Sequence, residues 1–124
     1  MSEESPHHAI DYIELNVTDP EQAKRFYAAA FGWSFTDYGP GYVGFTDHAR
    51  GEREAGGLRK VDAVTPGGPL VILYSRDLEA SQAAVRAAGG TIDKPIFEFP
   101  GGRRFEFRDL DGTLLAVWSA KDPS

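Results

Sequence analysis

The stretch Ile10–Trp33, IDYIELNVTDPEQAKRFYAAAFGW, decides the fold. Its first part alternates: Ile13, Leu15 and Val17 fall on one side of an extended chain, Tyr12, Glu14 and Asn16 on the other. A period of two with β-favouring residues reads as a strand. A second face built of Tyr, Glu and Asn meets water or lines a polar cavity. The helix that follows announces its start. Asp19 can accept from the first free amides, Pro20 suits the first helical position, and Gln22 stands where a capping box needs it. Ala23, Phe26, Tyr27 and Ala30 recur at helical spacing, so one side is apolar and packs on the strand. Gly32 ends the helix.

Short strands come next. Trp33 to Asp37 and Tyr42 to Thr46 flank Tyr38-Gly39-Pro40-Gly41, which has hairpin-turn chemistry. Residues 47–54, DHARGERE, are charged and aperiodic and read as a mobile surface loop. Ala55 to Val61 suits a fourth strand, with Gly56-Gly57 marking a bulge or a close backbone approach. Then 62–69, DAVTPGGP, is a linker by composition.

From residue 70 the same program restarts. Leu70 to Ser75 is a strand, and Asp77 caps a helix in which Leu78, Ser81, Val85 and Ala88 share a side, ended by Gly89-Gly90. Asp19 and Asp77 are 58 residues apart, as are Gly32 and Gly90. Strands follow at Thr91 to Phe99, Arg103 to Arg108 and Thr113 to Ser119, the last two joined by the tight turn Asp109-Leu110-Asp111-Gly112. The expected fold class is therefore α+β: two tandem βαβββ modules, about 9–61 and 70–119, forming a curved mixed sheet around a cleft. Neither half can close a core alone, so the two form one domain.

Composition narrows the partners. With 124 residues, 41% hydrophobic and 12% aromatic, the chain can build a core of its own. It has no cysteine, which excludes disulfides and thiolate metal sites. A formal charge of −6 argues against nucleic acid or an anionic membrane surface as partner. No apolar run approaches the roughly 20 residues of a membrane span. The polar start MSEESPHH is unlike a signal peptide, and the expected location is cytoplasmic.

Two βαβββ halves resemble the vicinal oxygen chelate superfamily, which includes glyoxalase I, bleomycin- and fosfomycin-resistance proteins and extradiol dioxygenases. The resemblance runs from about Ile10 to Trp118 and rests on the opening strand with AKRFYAAAFGW, the D-L-E-A helix ending in AAGG, and RRFEFRDLDGTLLAVW. Leu110 stands where the family usually has Pro. The resemblance implies a divalent metal held by His, Glu or Gln on particular strands. Those positions hold Tyr12, Gly57, Leu70 and Ala116 here, with Glu52 and Glu54 near the second. Leu, Gly and Ala side chains offer no donor, and Tyr is a poor ligand unless ionised. No metal ligands are therefore assigned and no cofactor is expected. His7, His8 and His48 read as exposed residues of a terminus and a loop.

If the family geometry holds, Tyr12 and Glu14 face the cleft from the first strand, Tyr74 from its counterpart, Arg104 and Glu106 from the seventh strand and Trp118 from the last. Phe105 and Phe107 pack beneath the helices. Trp33, Tyr38, Tyr42, Phe45, Phe97 and Phe99 supply aromatic walls or rims. A few polar groups converging in an aromatic cleft suit a small molecule. Three functions follow. The first is a metal-independent protein binding an apolar or aromatic small molecule through Tyr12, Glu14, Tyr74, Arg104, Glu106 and Trp118. The second is a metal-dependent lyase, isomerase or dioxygenase with a relocated site. The third is a metal-free enzyme in which Glu14 or Glu106 is general base and Tyr12 the acid or orienting donor. The resemblance also implies a homodimer.

Overall fold

A computed structural model describes residues 7–121; residues 1–6, most of the polar start, lie outside the described part. The order is β1 (Ile13–Val17), α1 (Pro20–Phe31), β2 (Ser34–Asp37), β3 (Tyr42–Thr46), β4 (Gly56–Lys60), β5 (Val71–Tyr74), α2 (Leu78–Ala88), β6 (Thr91–Phe99), β7 (Gly102–Arg108) and β8 (Leu114–Ala120). Each module is β-α-β-β-β, as the repeat requires. The expected curved mixed sheet is made in two separate four-stranded parts, β1-β4-β3-β2 and β5-β8-β7-β6. In each the first strand runs parallel to the fourth, and the remaining pairs are antiparallel. The parallel pair follows from the helix crossover between strands.

Local chemistry accounts for the helix ends. Asp19 accepts from the amides of Glu21 and Gln22, and Gly32 closes α1 in the left-handed region at φ 73°. Asp77 accepts from the Ala80 amide at the start of α2. Each cap satisfies donors the helix cannot bond internally.

One core lies between the sheets and the helices. Leu15, Val17 and Leu58 from the first sheet, Phe26 and Tyr27 from α1, Leu78 and Val85 from α2, and Phe105, Phe107, Leu115 and Val117 from the second sheet are all buried. Burying a side chain of this size contributes about 1.5–3 kcal/mol. Phe26 and Phe31 reach across to Phe107, with ring centres 6.2 and 5.7 Å apart. Trp33 and Phe45, expected as walls of a cleft, continue a stack from Tyr27, at 4.7 and 4.3 Å, and line the depth of the groove between β1 and β5. Both are less than a tenth exposed. A polar joint crosses the same core: Tyr27 donates to the buried Asp109 at 2.8 Å, tying α1 to the β7–β8 turn. Thr18 adds a second tie, donating to Asp111 at 2.6 Å.

The opposite faces of the sheets are left open. β1 and β5 are edge strands, and both line the grooves between the two sheets.

Candidate functional site

The alternation expected of β1 is present: Leu15 and Val17 are buried while Glu14 and Asn16 are exposed. Tyr12 sits just before the strand, half-buried, and lines three adjoining hollows. The first is a groove of about 450 Å³ on the β1–β5 seam, with Ile10, Ile13, Ile72 and Tyr74 on its walls and Phe31, Trp33 and Phe45 in its depth. A second, of about 570 Å³, continues the seam past Glu14, Asn16, Leu70 and Leu114 toward the linker. The third, of about 430 Å³, lies on the other side of Tyr12.

A compact phenol–carboxylate cluster surrounds that third hollow. Tyr12 donates to Glu54 Oε1 at 3.0 Å, and Tyr38 donates to Glu54 Oε2. Tyr42 donates to the Tyr12 hydroxyl at 3.5 Å, and burial, with Glu14 nearby, raises the Tyr42 phenol above its ordinary value. Backbone glycines make the cluster possible. Gly44 and Gly57 pair across β3 and β4 and form a floor with no side chains. A Cβ on Gly44 would collide with the Glu54 carboxylate, and one on Gly57 with the hydroxyl end of Tyr42. The close approach anticipated at Gly56-Gly57 is thus real. At Gly56 the neighbours are the Ile13 carbonyl and the Phe45 ring, on the core side. The loop before β4 folds back, with the Ala55 amide donating to the Phe45 carbonyl at 2.8 Å and Arg53 paired to Asp11 at 2.7 Å. This delivers Glu54 onto the sheet. In the sequence Glu54 looks like one more loop charge; a strand glycine facing it was the signal available.

Burial, then the bonds to Tyr42 and Glu54, push the Tyr12 phenol well above its ordinary 10.0. It stays protonated at physiological pH and acts as a donor, not as a phenolate ligand or a base. The family's metal positions therefore do not fit a divalent cation. Gly57, Leu70 and Ala116 bring no donor atom, and both Glu54 oxygens already accept from phenols. Among the described residues no three His, Cys, Asp or Glu side chains gather as a metal would need.

Arg104, Glu106, Tyr74 and Trp118 share the open face of the second sheet. Arg104 bonds Glu106 at 2.8 Å, and its Nε is buried without a partner. The guanidinium stands 5.5 Å from the Phe97 ring, and Trp118 meets Tyr74 edge-on at 5.1 Å. Tyr74 lines the seam groove with Tyr12. The three hollows around Tyr12 are not lined by Arg104, Glu106 or Trp118, so the expected residues fall into two groups. Glu14 and Glu106 lie on different sheets, and Glu106 is paired with Arg104. Of the histidines, His48 meets the Ser34 hydroxyl at 3.0 Å and His7 stacks on His8.

Residues 9–117 match the family described as Glyoxalase/Bleomycin resistance protein/Dioxygenase superfamily. A glyoxylase-like domain-containing protein of Didymella fabae is 31% identical over 90% of this chain and 93% of its own. CFP32 of Mycobacterium bovis, which carries a glyoxylase name, is 28% identical over 89% of this chain; the match spans only 45% of that longer protein. Among solved structures, a glyoxalase-related enzyme from Fulvimarina pelagi superposes with a TM-score of 0.74 at 23% identity, covering 90% of this chain and 88% of its own. TnmS3, an antibiotic binding protein from Streptomyces, gives 0.65 at 23% identity over 90% and 95%. These structural likenesses establish the fold. No helix among the described residues is long and apolar enough to cross a membrane.

Proposed function

The chain belongs to the Glyoxalase/Bleomycin resistance protein/Dioxygenase superfamily, and from that premise we propose that it is a metal-independent protein holding an apolar or aromatic small molecule in the groove between β1 and β5. One observation carries the reading. Among the described residues, four of the six large hydrophobic side chains left exposed, Ile10, Ile13, Ile72 and Tyr74, line that single groove. Apolar surface gathered around a concavity is what a ligand covers. TnmS3, an antibiotic binding protein of the same fold, lends support to a binding role on this scaffold. The metal-dependent reading with a relocated site needs several donors in one place, and among the described residues no three His, Cys, Asp or Glu side chains gather. The acid–base reading takes Glu14 or Glu106 as base with Tyr12 as donor, yet the Tyr12 hydroxyl is already given to Glu54 and Glu106 is paired with Arg104 on the other sheet. The proposal keeps the expectations of a cytoplasmic homodimer that needs no cofactor.

Thermal-shift screening of aromatic metabolites, with and without a chelator, tests it. The expected result is a compound that raises the melting temperature equally in both conditions, since only the folded state binds it. Ile72→Asp, at an exposed edge position, should abolish that rise while leaving the unliganded melting temperature nearly unchanged. A rise that requires added divalent metal, or one indifferent to Ile72→Asp, would overturn the proposal. Sedimentation of the same samples reads the assembly state, and a clean 13.6 kDa species would refute the dimer.

A further inference from the structure

We propose that the hollow beside Tyr12 and Tyr38 is a site for an organic ammonium group, so that the ligand is an apolar or aromatic body carrying a cationic nitrogen. The body half rests on the groove reading above; the ammonium half stands on the cluster itself.

The hollow is negative and aromatic at once. Asp11, Glu52 and Glu54 line it against a single cation, Arg53, which is engaged by Asp11. The Tyr12 and Tyr38 rings stand on its wall with the Glu54 carboxylate gripped between their hydroxyls. A phenol that donates to a carboxylate gains electron density on its ring, and an electron-rich ring face attracts a cation. The carboxylate adds a full charge at the same place. An alkylated ammonium has low hydration and no demand for several oxygens at short range, so such walls satisfy it. An inorganic divalent cation needs several oxygens converging at short range, and among the described residues Asp11, Glu52 and Glu54 do not gather as such a group.

The arrangement is built, and at a cost to the sheet. Glycine in a strand interior weakens it, yet Gly44 and Gly57 occupy paired positions where any side chain would evict Glu54 or Tyr42. The protein thus gives up two strand side chains to lay a carboxylate and a phenol flat on the sheet. An acid–phenol cluster serving only as packing needs no such floor.

The hollow also joins the groove. Asp11 and Tyr12 line both. A ligand can therefore lay its body against Ile72 and Tyr74 and turn its nitrogen past Tyr12 toward Glu54.

NMR-monitored titration of the intact, isotope-labelled protein separates the two halves with three probes: tetramethylammonium, benzyl alcohol and benzyltrimethylammonium. Benzyltrimethylammonium is expected to bind tightest and to shift resonances of both Glu54 and Ile72. Glu54→Gln should weaken it roughly tenfold and leave benzyl alcohol unchanged. Tyr38→Leu, at an exposed position that does not threaten the fold, should weaken both ammonium probes in the same direction. Glu54→Asp should restore most of the affinity. If tetramethylammonium binds in a Glu54-dependent way and benzyl alcohol does not bind, the ammonium site stands and the groove reading fails. Equal affinity for charged and neutral aromatics, or ammonium binding indifferent to both Glu54→Gln and Tyr38→Leu, would overturn the inference while sparing the groove.

Discussion

The open face of the first sheet is floored by the row Glu14, Gly57 and Gly44, and that of the second by the matching row Ile72, Ala116 and Glu106. Glu14 and Ile72 hold the same place in the repeat, 58 residues apart. The neighbouring positions on the third and seventh strands are Tyr42 and Arg104. Two of the three floor positions on one face thus carry no side chain, and beside Glu14 and Tyr42 the face takes its chemistry from outside, Tyr12 and Tyr38 from strand ends and Glu54 from a loop. The other carries its own cation and carboxylate on the strand, under Trp118 and Phe97. A duplicated backbone has been furnished in two ways. The difference teaches that glycine, by withholding a side chain, can decide a site as firmly as a charged residue does.

Breaking the floor gives the largest contrast. Gly56→Ala and Gly57→Ala are neighbours with opposite orientation. The first drives a methyl into the Ile13 carbonyl and the Phe45 ring, neither free to move, and should cost about 3 kcal/mol or more. The second meets the free end of Tyr42, which can lift, and should cost about 1 kcal/mol. Urea unfolding of the two variants reads the gap. Equal losses would mean that Tyr42 is as fixed as backbone and that the cluster is part of the core.

The next contrast sets a charged partner against a neutral one. Glu106 has only 14% of its side chain exposed and relies on Arg104, itself 29% exposed. Arg104→Met keeps the apolar stem against Phe97 yet leaves that carboxylate alone, and should cost about 1–2 kcal/mol after allowing for solvent. Tyr12→Phe removes one of two phenol donors to Glu54 and should cost about 0.5–1 kcal/mol, since Tyr38 remains. A Tyr12→Phe loss exceeding the other would show that Glu54 depends on that phenol more than on water.

Most of the architecture was legible in the residues. Period-two runs, Asp19 and Asp77 as caps and the 58-residue repeat give every strand and both helices, because each reports on neighbours close in the chain. Leu15, Phe26, Val85, Phe105 and Phe107 reach the core for the same reason. Trp33 and Phe45 turn out to belong to the core stack and to the depth of the groove at once, which periodicity leaves open because it tells that a strand has two faces without telling which one the helices cover. Glu54 stands out in the sequence only as a carboxylate near the fourth-strand position, because its place between two phenols depends on the loop's return path and on Gly44, ten residues away in sequence and in contact only through the folded sheet. Tyr12 and Glu14 were found as a pair, whereas their separation from Arg104 and Glu106 depends on the sheets being two, which no local pattern encodes.

The smallest expected effect concerns the joint that holds the two faces back to back. Burial raises the Asp109 carboxyl above its ordinary 3.8, against the lowering by its bonds from Tyr27, Thr113 and Asp111. A folded pKa above the unfolded one means that the folded state binds more protons between the two values. Stability from this group is therefore full below about 3.8 and falls as pH rises through the folded value. Asp109→Asn removes the titration while its amide oxygen can still accept from the Asp111 and Thr113 amides, and the Tyr27 hydroxyl can turn to accept from the new NH₂. The wild-type stability measured relative to Asp109→Asn should decline as pH climbs from about 3.8 and then level off. Unfolding both proteins by urea at a series of pH values gives that difference directly. A flat difference would mean that burial and the hydrogen bonds to Asp109 cancel, so that this carboxyl does not couple the joint to pH. A rise with pH would mean that the three hydrogen bonds outweigh burial, making Asp109 a charge the fold prefers.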